Sequence, residues 1–110
     1  MANTFKNASL ADVSNSSYGT LYTTPSSTTT VVLGVALANK SGSAITAKMQ
    51  FSDSSGSVTR QLLEDVTIPG NTTLEVLSGQ KYILEASDAL KVQASAASSL
   101  DVVAGLMEIS

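Results

Sequence analysis

The sequence predicts an all-β chain, a single antiparallel β-sandwich of jelly-roll or immunoglobulin-like type with an extended N-terminal arm. Three observations carry this. From about residue 30 onward, bulky apolar residues recur at every second position, the period of a strand with one buried face. Turn signals rich in Gly, Pro, Ser, Asn and Asp break that pattern roughly every 8 to 12 residues, the spacing of a sandwich rather than of strands alternating with helices. Ser and Thr fill 30 of the 110 positions while only 14% of residues are charged, a balance that favours strands and turns over surface helices.

Residues 1–29 read as an arm plus one edge strand. "ASLADVS" and "YGTLYT" are strand candidates, whereas "TTPSSTTT" is polar and interrupted by Pro25. Phe5, Tyr18 and Tyr22 place three of the five aromatics in this segment, so it is expected to be docked: either they are anchors against a neighbouring subunit, or the segment wraps its own domain. Residues 30–110 form the sandwich. In "TVVLGVALAN" the odd positions Val31, Leu33, Val35 and Leu37 are expected inside, leaving a thin opposite face of Val32, Gly34, Ala36 and Ala38. Gly34, Ala36 and Ala38 are small enough to let a second surface approach closely.

Gly42 turns the chain into "AITAKMQF", with Ile45, Ala47, Met49 and Phe51 on one face. After the loop "SDSSGS", the segment "VTRQLLEDVTI" points Val58, Leu62, Val66 and Ile68 inward. Pro69 lacks a ladder donor, and Gly70 is expected to supply a positive φ in the turn "PGN". Short inward pairs follow at Leu74 and Val76, then Tyr82 and Leu84 beyond a turn at Gly79, then a strand through Leu90, Val92 and Ala94.

The last segment, "SLDVVAGLMEI", is apolar on both faces. Leu100, Val102, Ala104 and Leu106 form one row, and Val103, Met107 and Ile109 the other. A helix is the competing reading here. As a strand it must be covered on both sides, which makes Val103, Met107 and Ile109 candidate interface residues of a homo-oligomer, a dimer or trimer.

Composition excludes several function classes. With six scattered basic residues and a net charge of −3, no patch can neutralise a run of phosphates, so no nucleic-acid partner is expected. Cysteine and histidine are both absent, which removes disulfides, thiolate metal sites, the commonest general base and the thiol nucleophile. Glu64 and Asp65 are strand neighbours aimed at opposite faces. Glu75 and Glu85 approach each other only if their strands pair. "DSSGS" from Asp53 has a faint likeness to a calcium loop but lacks the further acidic ligands. The expectation is a non-enzyme with no catalytic residue, no metal and no cofactor. No 18-residue apolar run and no apolar stretch after Lys6 suggest a membrane span or a leader, so a soluble protein without a membrane partner is expected.

The phrases "MANTFKNA", "GTLYTTPSSTTTVVLGVALANKSGSAIT", "VTIPGNTTLEVLSGQKYILEASDALKVQAS" and "SSLDVV" cover most of the chain. In order and wording they resemble small virion structural proteins of tailed bacteriophages, cyanophages among them. That resemblance implies a virion location after synthesis in the host cytoplasm, and a capsid cement or decoration protein partnered by the major capsid protein or another virion protein. A neck or tail accessory subunit is the nearest alternative it implies. A glycan- or receptor-binding module, the other alternative, is disfavoured because the chain has no Trp to stack on sugar rings.

Overall fold

The strands expected from residue 30 onward lie in two facing sheets, with the N-terminal segment supplying an edge strand to each. The computed structural model describes residues 3–77 and 80–110; the turn expected at Gly79 lies outside the described residues. In chain order the strands are β1 Asn3–Leu10, β2 Gly19–Thr23, β3 Thr29–Asn39, β4 Ile45–Asp53, β5 Val58–Ile68, β6 Thr72–Glu75, β7 Tyr82–Leu84, β8 Ala89–Ala94 and β9 Leu100–Ile109. The terminal segment is therefore a strand and not a helix. There is no helix among the described residues.

Sheet 1 runs β1-β9-β3-β6, with β7 also paired to β3, and sheet 2 runs β2-β8-β4-β5. Every pairing is antiparallel. Except for the hairpin β4–β5 and the broken strand β6/β7, each step along the chain crosses from one sheet to the other. With β6 and β7 counted as one strand, this is the eight-stranded double Greek key of a jelly roll. The immunoglobulin arrangement, which places its first two strands side by side in one sheet, is excluded.

The core is the seam between the sheets. Sheet 1 contributes Val32, Val35, Leu37, Leu84, Leu100, Val102, Ala104 and Leu106; sheet 2 contributes Leu21, Ile45, Ala47, Met49, Ile68, Leu90, Val92 and Ala94. Each large side chain buried here is worth about 1.5–3 kcal/mol.

In β3 the expected inward row is only half right. Val35 and Leu37 are buried, but Leu33 is exposed and Val32 is fully buried. The cause is a register shift between Val32 and Gly34 in the pairing with β9. One extra residue reverses the alternation, so even positions face inward before the bulge and odd positions after it. In β5, two register irregularities against β4 similarly bring Leu63 opposite Met49 and leave both Leu62 and Leu63 half-buried.

The turns use glycine less than expected. Asn71, not Gly70, holds the left-handed conformation at "PGN", with φ of 56°. Gly70 is needed for a close approach: a Cβ there would sit 2.6 Å from the backbone carbon of Gly42. This contact packs the β3–β4 loop against the β5–β6 turn, where Asn71 N donates to Ser41 O at 2.9 Å.

Candidate functional site

A sandwich with two solvated outer faces should be polar on both. The two faces here differ. On sheet 2 the outward row Thr20, Lys91, Gln50 and Gln61 is hydrophilic. Next to it a depression of about 250 Å³ is lined by Asn15, Lys48, Asp65 and Gln93. Its polar groups satisfy one another: Lys48 pairs with Asp65 at 3.7 Å, and Gln93 Nε2 donates to the Asn15 carbonyl at 3.1 Å.

The outer face of sheet 1 carries large apolar side chains among polar ones. All four exposed large hydrophobic residues of the described chain, Phe5 (75%), Val103 (55%), Ile83 (53%) and Leu33 (39%), belong to its strands. The registers align them. Phe5 stands opposite Met107, Met107 opposite Val31 and Val31 opposite Ile83, so one apolar ridge crosses four strands. Residues directly opposite in antiparallel strands share a face. The next row is Asn7, Gly105 and Gly34, and the one after is Ser9, Val103, Ala36 and Glu75. A Cβ added at Gly105 would meet nothing within 4 Å, whereas one at Gly34 would lie 3.9 Å from Glu75 Oε1, so the glycine row is low ground, open at β9 and reached by the Glu75 carboxylate at β3.

Seven of the nine residues singled out from the sequence therefore gather on this face. Phe5, Val103, Met107 and Ile109 form its apolar surface, and Gly34, Ala36 and Ala38 its low ground. The two tyrosines lie elsewhere. Tyr18 accepts a hydrogen bond from Gln61 Nε2 at 2.8 Å over sheet 2. Tyr22, half-buried on β2, donates to the Glu108 carboxylate and lies 2.8 Å from Thr30 Oγ1. Burial, then the Glu108 carboxylate, raises the Tyr22 pKa above its ordinary value. Lys6 sits 3.5 Å from the same glutamate, so this group closes one end of the sandwich.

The far rim of the face is charged. Asp101 accepts from Asp12 N at 3.0 Å and pairs with Lys40 at 3.1 Å. Those contacts, the backbone donor first, hold the Asp101 carboxyl below its ordinary pKa, while Asp12 and then Asp101 raise that of Lys40.

The carboxylates considered in the sequence are placed differently from the expectation. Glu75 and Glu85 are not neighbours, since Glu75 lies opposite Ala36 and Leu84 opposite Thr30, six positions apart along β3. Glu85 instead meets Asp53 and Asp88, with ligand oxygens within 4.8 Å of one another. The acidic partners that the "DSSGS" loop lacks locally thus arrive from the β7–β8 turn. Asp53 accepts from Gly56 N and Ser55 Oγ, which hold its carboxyl below the ordinary value, Gly56 contributing most. Asp88 is 1% exposed and accepts from Ser54 N and Glu85 N, both at 2.9 Å. Its oxygens are engaged in joining two loops.

Ile83, Val31 and Leu33 also belong to the face and were not singled out. Val31 and Leu33 fell in the row expected inside, and Ile83 lies between two residues read correctly as inward. Alternation along Tyr82–Leu84 alone implies that Ile83 is outward; nothing in the sequence marks the bulge that turns Leu33 out.

The fold and this face define the class: a jelly-roll domain with an exposed apolar ridge across one sheet. No family model matches the chain, and no curated protein does. Among solved structures it is similar over 98% of its length to a chain in a structure titled "Bacillus endospore appendages form a novel family of disulfide-linked pili", at 9% identity and a TM-score of 0.58, covering 88% of that chain. It is similar over 96% of its length to a chain of the cyanophage Pam1 capsid asymmetric unit, at 17% identity and a TM-score of 0.52, covering 83% of that chain. At these identities the likeness is one of fold.

Proposed function

We propose that this chain is a structural protein of a phage virion that docks on the capsid lattice and stabilises the head, as a cement or decoration protein. The observation that carries the reading is the bare outer face of sheet 1. Four strands at about 4.8 Å spacing and nine residues at about 3.4 Å rise give the whole face roughly 500 Å². Its apolar part, the Phe5–Met107–Val31–Ile83 ridge with Val103 and Leu33, is gathered on one side of the molecule among Asn7, Ser9 and Glu75, and a patch gathered in this way is often a functional contact. An assembly partner would cover it, with the charged rim at Asp101 and Lys40 at its border.

The phrase-level resemblance to virion proteins and the shared fold with a cyanophage capsid chain support the same reading. The Bacillus appendages that share the fold are disulfide-linked pili, a linkage closed to these 110 residues, which include no cysteine. That difference favours the virion over the pilus.

The test is to mix purified protein with heads of the parent phage that lack it, then count bound copies and measure head survival on heating. Wild-type protein should bind in many copies and raise the temperature of head disruption. Val103→Glu and Met107→Glu should each weaken binding at least tenfold without unfolding the domain, because both residues face outward. Failure of the wild type to bind refutes the reading, as does undiminished binding by both variants. A handful of copies confined to the neck would assign it to the tail machinery instead.

A further inference from the structure

Sheet edges, unlike faces, carry unpaired backbone N–H and C=O groups, and a domain guards them against pairing with another chain. Three of the four edges here are guarded. Strand β5 has two register irregularities, a left-handed residue at Asp65 and the exposed charges Arg60, Glu64 and Asp65. Strand β2 has five residues and a register shift. The opposite edge of sheet 1 is split into β6 and β7, of four and three residues.

Strand β1 is different. Its eight residues pair with β9 without a register shift, it has no proline, and Lys6 is its one charged residue. That ammonium is held toward Glu108. Every second residue of β1 turns its backbone groups away from β9, and among the described residues no strand meets them.

We propose that this free edge pairs with the β1 of a second copy, antiparallel about a two-fold axis at Phe5. The side chains select that register. Centred on Lys6, the pairing would set two ammonium groups directly opposite each other, which is destabilising. Centred on Phe5, it sets Lys6 opposite Thr4 of the second copy, Asn3 opposite Asn7, and the two phenylalanines against each other, a favourable aromatic pair. Phe5 is 75% exposed in the single chain, and the pairing covers it.

Such an interface is isologous and closes at two copies. It also continues the apolar face: the Phe5–Met107–Val31–Ile83 ridges of two copies meet end to end, doubling the uninterrupted apolar surface. The pairing needs no shell, so it stands or falls separately from attachment to a capsid.

The absence of native cysteine makes the test direct. In the Phe5-centred register, Phe5→Cys brings two Cα atoms to about 4.5–5.5 Å, within disulfide reach. Asn7→Cys leaves its two copies four residues apart along the strands, about 13 Å, beyond reach. Both positions are exposed, so both variants fold. In oxidised glutathione the purified full chain carrying Phe5→Cys should become mostly disulfide-linked dimer, while the Asn7→Cys chain stays unlinked. In sedimentation the unsubstituted protein should be a dimer, and Phe5→Lys should weaken it at least tenfold. A monomeric unsubstituted protein, an unlinked Phe5→Cys chain, or equal linking at both positions would overturn the proposal.

Discussion

Asn39→Asp is expected to lower the unfolding free energy by about 3–5 kcal/mol, since it strips a buried donor from three carbonyls and leaves an acceptor facing them. Asn39 ends β3 and is 2% exposed. Its Nδ2 donates to Ser43 O at 2.9 Å, Ile68 O at 3.0 Å and Pro69 O at 3.1 Å. Its Oδ1 accepts from Ser41 N at 3.0 Å and Ser41 Oγ at 2.8 Å. One amide therefore joins the β3–β4 loop to the end of β5 beside the tight Gly70–Gly42 approach. An aspartate keeps the shape and the Ser41 contacts but turns an oxygen toward three carbonyl oxygens. Urea unfolding measures the effect. A loss under about 1 kcal/mol would show that this corner does not hold the two sheets in register.

Asp88→Ala comes second, with an expected loss of about 2–4 kcal/mol from two charge-assisted hydrogen bonds and the unmet donors left behind. Asp88 also links three segments. Its carboxylate receives Ser54 N of the β4–β5 loop and Glu85 N of its own turn, and its backbone carbonyl receives Thr24 N at 2.9 Å after β2. Asp88→Asn should lose less than the alanine variant, because its one amide oxygen can still serve one of the two donors. The order wild type, Asn, Ala in thermal unfolding checks this. Equal midpoints for all three would mean that the loops are held by their backbone contacts alone.

The two-layer, all-antiparallel architecture was readable because its cause is local. Alternation in Ile45–Met49, in Leu90–Ala94 and in Leu100–Leu106 records which side chains face the seam. The double character of β9 was equally visible, since Val103 and Met107 break a pattern that one buried face would keep. Bulges were hidden. An extra residue at Leu33 changes the phase of β3 without any special residue type, so Leu33 read as core and became surface.

The clamps Asn39 and Asp88 were also invisible in advance, one sitting in an ordinary "NKS" and the other in a turn "ASD". Their roles come from segments far away in the chain. Joining Asp53 to Glu85 and Asp88 required knowing that the β4–β5 loop and the β7–β8 turn share one end of the sandwich. Likewise, the face emerged as a unit only when the registers set Phe5, Met107, Val31 and Ile83 in one line; alternation shows that a residue is outward, and pairing shows which others it stands beside.

If the proposed virion role holds, the outer face of sheet 1 is covered in an assembly, and a density map of the phage particle tests this most directly. Many copies are expected on the head, each with Met107, Val103 and Ile83 against neighbouring protein and the polar face of sheet 2 toward solvent. Copies whose sheet 1 lies open to solvent while sheet 2 meets the particle would contradict it.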